Sequence, residues 1–395
     1  MRCDVCFSEQ TTLPKIRCIA PPIDWQRSSP KNFGGWQFDC YPKVRCNQPR
    51  QSQGQHAVGS SMLRRMITFP KILTRNDVGQ CLSLAAALIE CEDVVVQVDA
   101  SNLVFIDPFG LTLLAAACER LAATGQAVDV VALNPTHGGY LARMDLFKQS
   151  WMHCSALVDT PRKNLSDRLV ELRRVTTERD VDTTANALAA AILGQVPGLD
   201  QHAPQDEMTC TNAWDKAHEP LCHALTELLQ NAMTHARRNG RESANTWVAA
   251  QYMPRSDDIC IGIVDTGCGF LGSLRNHPKL TEQSDLAAML LALKPRISCN
   301  RDFGRFVDAV NAGIGLTTTF RLARATKGGI VLVSGQAVIR AENHRDASAG
   351  EVLANSWGGV AIAIELKRSA LADINIRSLM PPRDGVATPP AVRFE

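Results

Sequence analysis

From residue 66 to about 150, short β-branched runs alternate with stretches whose apolar residues recur at helical spacing. No other feature restricts the fold as much, because a strand–helix–strand succession has to lay its helices against a sheet. MITFPKIL reads as a short strand and NDVGQCLSLAAALIE as a helix with Asn76 at its N-cap. EDVVVQVDA is a nearly continuous apolar run, as in a buried strand. VFID leads into GLTLLAAACERLAATG, a helix closed by Gly125. AVDVVAL is a further strand and THGGYLARMDLF a short helix. A compact α/β domain is expected here.

The chain has 395 residues, more than one ordinary core accommodates, and the pattern restarts within a charged stretch at 151–178. LVELRRV reads as a strand and ERDVDTTANALAAAILGQ as an amphipathic helix. TWVAAQYM and DICIGIVD flank a Pro-Arg-Ser-Asp turn, which makes a hairpin. SDLAAMLLALKP and TTTFRLARATKGG are helical, and IVLVSGQAVIR and GGVAIAIELK are the last strand candidates. The expected organisation is a disordered or untranslated segment over 1–61, with Met62 or Met66 a sensible start. An α/β domain over 62–158, a second over 159–370 and a tail over 371–395 follow.

Net charge is +2, so no global field argues for nucleic acid or an anionic membrane. No apolar run reaches the roughly 18 residues that span a bilayer, and the N-terminus MRCDVCFSEQ lacks a signal core. A cytoplasmic protein with reduced thiols is expected, although the cysteines number 14. Cys3 and Cys6 are spaced like half a zinc site, but Cys40 and Cys46 are too far apart for the usual second half.

Within ELLQNAMTHA, Glu227, Asn231 and His235 follow one another at intervals of four, which puts them on one stripe of a helix whose other positions are largely apolar. Such a stripe is ordinarily a solvated face. Two glycine turns follow it. The first, Asp265-Thr-Gly267-Cys-Gly269, ends a strand; glycines there let backbone approach a ligand, and the Asp can accept from an amine. The second, Gly313-Ile-Gly315-Leu316, opens a helix, where free backbone N–H groups suit phosphate oxygens.

Two resemblances follow from these motifs. Residues 66–150 resemble a STAS domain, the fold of bacterial anti-sigma-factor antagonists, through a strand, an Asp-x-x-Gly helix start and a strand ending near Asn-Pro. Phospho-regulated members carry serines after that Asp; here Asp107 is followed by Pro108 and Phe109, which offer no hydroxyl, so the 105–112 stretch is expected to stay unphosphorylated. Residues 175–367 resemble the GHKL ATPases, the superfamily of DNA gyrase, MutL repair proteins, sensor histidine kinases and anti-sigma-factor kinases.

The GHKL resemblance implies an α/β sandwich with a mixed sheet, binding ATP and Mg²⁺. It assigns Asn231 to the metal and Glu227, one turn earlier, to the base that orients water or a substrate hydroxyl. Asp265 becomes the adenine-reading carboxylate, with Gly267 and Gly269 passing the base. Gly313, Gly315 and Leu316 form the phosphate turn, and 271–312 the lid. His235 matches no family role. The last strand usually begins Gly-Thr, whereas here Gly359 precedes Val360. Arg301, Arg305, Arg321, Arg324 and Lys327 could supply positive charge. His218 lies only 13 residues before Asn231, too near to sit on a separate dimerisation helix, which argues against a sensor histidine kinase. A transducer domain, as in topoisomerases and MutL proteins, is also not evident. The expectation is a regulatory ATPase or serine/threonine-kinase-like switch that works with an unidentified protein partner, homo-oligomerisation being left open. The alternative is a scaffold that holds nucleotide without turnover: Glu227 favours turnover, Val360 the passive role.

Overall fold

The computed structural model describes residues 66–156, 162–194, 196–237, 239–294, 297, 314–342 and 350–380. The segment 1–61 lies outside them, and Met62–Glu395 forms one compact unit. It is a mixed α/β protein whose described strands form a four-stranded parallel sheet, a two-stranded parallel sheet and a five-stranded antiparallel sheet. The first part comprises β1 (Ile67–Thr68), β2 (Ile72–Leu73), α1 (Val78–Ile89), β3 (Val95–Asp99), β4 (Phe105–Ile106), α2 (Pro108–Ala122), β5 (Ala127–Val131), α3 (Pro135–Arg143) and β6 (Met152–His153). Strands β1, β3, β5 and β6 form a parallel sheet in the order β1-β3-β5-β6, and β2 pairs with β4.

The second part comprises β7 (Leu169–Val175), α4 (Glu178–Leu193), α5 (Ala213–Ala236), β8 (Thr246–Met253), β9 (Asp258–Asp265), α6 (Gly269–Leu274), α7 (Asp285–Ala292), α8 (Ile314–Ala325), β10 (Gly329–Glu342), β11 (Glu351–Lys367) and α9 (Ile376–Leu379). Its sheet runs β10-β11-β9-β8-β7, and every described pairing is antiparallel rather than mixed. The connections explain this. A tight turn joins β8 to β9, and two helices rather than one link β7 to β8, so the chain returns reversed; parallel neighbours need a single crossover.

Every residue of β9 is buried, because its sheet is covered on both faces. Ile259, Ile261 and Ile263 face a core shared with α4, α5 and α8. Val264, with Trp247 and Ala249 of β8, joins the core built by α1 and α2. Helix α2 is therefore buried nearly all round, between the parallel and antiparallel sheets, as its largely apolar sequence requires. Two close approaches depend on glycine. A Cβ on Gly262 of β9 would lie 2.3 Å from the Pro108 carbonyl oxygen, and one on Gly110 would lie 2.3 Å from that of Leu73.

Local signals act where side chains can reach backbone. Thr177 and Asp180 form a capping box on α4, and Asn212 and Asp215 form one on α5. Asp107 caps α2, accepting from the N–H of Gly110 at 2.8 Å and of Arg75 at 3.0 Å. The expected cap Asn76 instead sits inside a 3-10 turn, Arg75–Asp77, that precedes α1. Residues 371–379, expected as tail, belong to the body: Leu371 and Ile376 are buried in the second core. No helix among the described residues is long and apolar enough to cross a membrane.

Candidate functional site

One cleft, about 860 Å³ with its open mouth, gathers residues from the motifs read in the sequence. Asn231 and His235 of α5 line it, with Asp265 at the end of β9, Gly269 at the start of α6 and Leu316 in the first turn of α8. Its walls are apolar, from Ile263, Phe270, Leu274, Val360 and Ile362. A flat aromatic ring suits such a slot, and the few polar groups would set its orientation.

Asp265 is the most constrained polar group. It is 4% exposed. Its carboxylate accepts from the Gly267 N–H at 2.8 Å and also from the backbone N–H of Val360. Burial pushes its pKa up to about 7, against those two donors and the positive charge of Arg120. The neighbouring strand meets it closely: a Cβ on Gly359 would lie 2.1 Å from the Asp265 carbonyl oxygen and 2.7 Å from its carboxylate. Gly359 thus has a packing role, and Val360 contributes a backbone donor and an apolar wall without a hydroxyl.

The glycines divide by function. Gly269 has φ +71°, a left-handed conformation, and a Cβ there would lie 2.7 Å from Ser334 Oγ. Gly267 does not line the cleft; it lets the turn touch the end of α5, where a Cβ would come 2.2 Å from Ala236 Cα. Gly315 likewise sets a helix crossing, since a Cβ would lie 2.5 Å from the Leu228 backbone nitrogen. Gly313, Arg301 and Arg305 lie outside the described residues, as does the lid beyond residue 297. Within the span read as a lid, α7 and the end of α6 pack on a small core of Leu274, Leu280, Ala288, Leu291 and Ile297.

The polar stripe of α5 is not a plain solvated face. Glu227, Asn231 and His235 are all half-buried. Among the described residues no hydrogen bond engages the Asn231 amide, which stands on the cleft wall. Glu227 does not line the cleft; burial raises its pKa, and the charge of His223 one turn earlier opposes that rise. Arg321, Arg324 and Lys327 do not line it either, and Arg321 donates to the Leu379 carbonyl at 3.0 Å.

Sequence reasoning missed the far side of the site. Arg120 of α2 donates to the Thr266 carbonyl at 3.0 Å and lies 4.2 Å from the Trp357 ring centroid. Trp357 Nε1 donates to the Asp265 carbonyl at 2.9 Å. Neither residue stands near the Asp265 turn in the chain, so no local pattern marked them. Asp107-Pro108-Phe109-Gly110, the helix start singled out for its STAS likeness, is buried against β9. Among the described residues no group of three or more His, Cys, Asp or Glu side chains could hold a metal ion. Comparison with known proteins gives no match to a family model, a curated protein or a solved structure.

Proposed function

We propose that the cleft binds an adenine nucleotide with Mg²⁺, in a GHKL-like regulatory protein whose first part is a STAS-like module. One observation carries this reading. A buried carboxylate, held from behind by two backbone N–H groups, sits in an apolar slot that also presents the Asn231 amide. An ionised Asp265 is an acceptor matched to an exocyclic amine, and the apolar walls suit the base. The residues fit the metal as well, since Mg²⁺ keeps most of its waters and needs few protein oxygens. Asn231 would hold it, and bound Mg²⁺ would neutralise phosphate charge. The first turn of α8, whose Leu316 lines the cleft, would receive the phosphate end.

Glu227 is the candidate base, one helical turn from Asn231. Its raised proton affinity suits that role. Its position off the cleft wall favours the second reading, a scaffold that holds nucleotide without turnover. In either case the protein works in the cytoplasm through a protein partner, without nucleic acid.

Calorimetric titration with MgATP tests binding. The wild type should bind and Asn231→Ala should lose Mg²⁺-dependent affinity by about tenfold or more, the worth of one charge-assisted contact. Native affinity in that variant rejects the assignment of Asn231.

A further inference from the structure

Arg120 belongs to α2, in the first part of the chain, yet its guanidinium reaches the Asp265 turn of the second. Gly358 makes room for it: a Cβ there would lie 3.1 Å from Arg120 Nη1. The guanidinium stacks on Trp357 and takes the Thr266 carbonyl, while the Trp357 indole takes the Asp265 carbonyl. Both carbonyls of the turn are thereby fixed from behind, and the Asp265 carboxylate is left to face the cleft. The adjacent residue completes the clamp. Glu119 accepts from Asn245 Nδ2 at 3.1 Å and Trp247 Nε1 at 2.8 Å and pairs with Arg174 at 2.6 Å. Asn245 and Thr266 exchange two bonds of 3.0 Å, one from each backbone N–H.

We propose that Arg120 is a positioning residue for base recognition, through which the STAS-like part of the chain sets the nucleotide preference of the cleft. The inference rests on the adenine-nucleotide reading above. It goes further, because it makes the first part of the protein a component of the site. A planar fork that is stacked on one side and bonded on the other fixes direction better than a flexible ammonium. Burial and the nearby Arg241 lower the pKa of Arg120 to about 10, so the side chain is still charged at neutral pH. Arg120 and Glu119 both tie α2 to the turn that reads the base, and of the two only Arg120 bonds that turn directly.

The test is titration of the full-length protein with MgATP and MgGTP. Guanine would present a carbonyl to the Asp265 carboxylate where adenine presents an amine, so the wild type should prefer ATP. Arg120→Met should reduce the ATP:GTP affinity ratio about tenfold, and Arg120→Lys should restore part of it. A residue that only stabilises the fold would change the melting temperature and leave the ratio alone. An unchanged ratio in folded Arg120→Met overturns the inference and leaves the nucleotide reading standing. If the wild type binds neither nucleotide, both fall. Should Arg120→Met not fold, Arg120→Gln decides: it keeps an N–H for Thr266 but removes the charge over Trp357. The ratio should then drop by at least about threefold, and no drop overturns the inference.

Discussion

Replacing Asp265 by Asn should make the nucleotide-free protein more stable above neutrality while weakening its recognition of adenine. The carboxyl is 4% exposed, and burial raises its pKa from 3.8 to about 7. A raised pKa means that the folded state holds the proton more tightly than the unfolded state. The stabilisation is complete below the unfolded value and is lost as pH rises through the folded one. Between about pH 5 and about pH 8 this one group should withdraw roughly 2–3 kcal/mol of stability. In the Asp265→Asn protein the amide oxygen can still accept from Gly267 N–H, and nothing titrates at that position. Asp107, raised by burial to about 6, falls in an overlapping range but is present in both proteins, so it cancels in the difference. The assay is urea unfolding of both proteins at the two pH values, without nucleotide. The wild type should lose roughly 2–3 kcal/mol more than the variant. Parallel pH profiles would refute the reasoning and mean that the Asp265 carboxyl is not buried in an unrelieved form.

Nucleotide affinity of the wild type should rise with pH through about 7, because the amine of the base is received by the ionised Asp265; calorimetry in buffers of different ionisation enthalpy should detect the accompanying proton release. Glu227→Gln should leave nucleotide affinity near native and slow single-turnover phosphate release or transfer by ~10²–10⁴-fold. Equal rates in the two proteins reject Glu227 as the base, and no wild-type turnover with any partner supports the passive scaffold. Gly315→Ala should destabilise the fold by about 1–3 kcal/mol in urea unfolding, since the added methyl meets the Leu228 backbone at 2.5 Å, outweighing the gain of about 1 kcal/mol in helix propensity.

Periodicity was legible in the sequence because it depends on neighbours in the chain. The β9 run, the apolar α2, the helix that opens at Glu178 and the hairpin turn all express local geometry, and the structure has them near the expected bounds. The residue types of the cleft were legible for the same reason: Asn231 stands on a helical stripe, and Asp265 ends a strand beside glycines. Local reading failed where a third element intervened. Asn76 had the chemistry of a cap, but the chain tightens into a 3-10 turn there and α1 starts later. Residues 371–379 read as tail because nothing short-range shows that Leu371 and Ile376 meet the second core. Reading Gly267 and Gly315 as ligand turns left out a packing role, since a Cβ on either would strike the backbone of α5. Only the tertiary structure could decide that α2 lies between two sheets and sends Arg120 to the turn at Asp265, because that contact joins segments far apart in the chain and is paid for by packing rather than by any local preference.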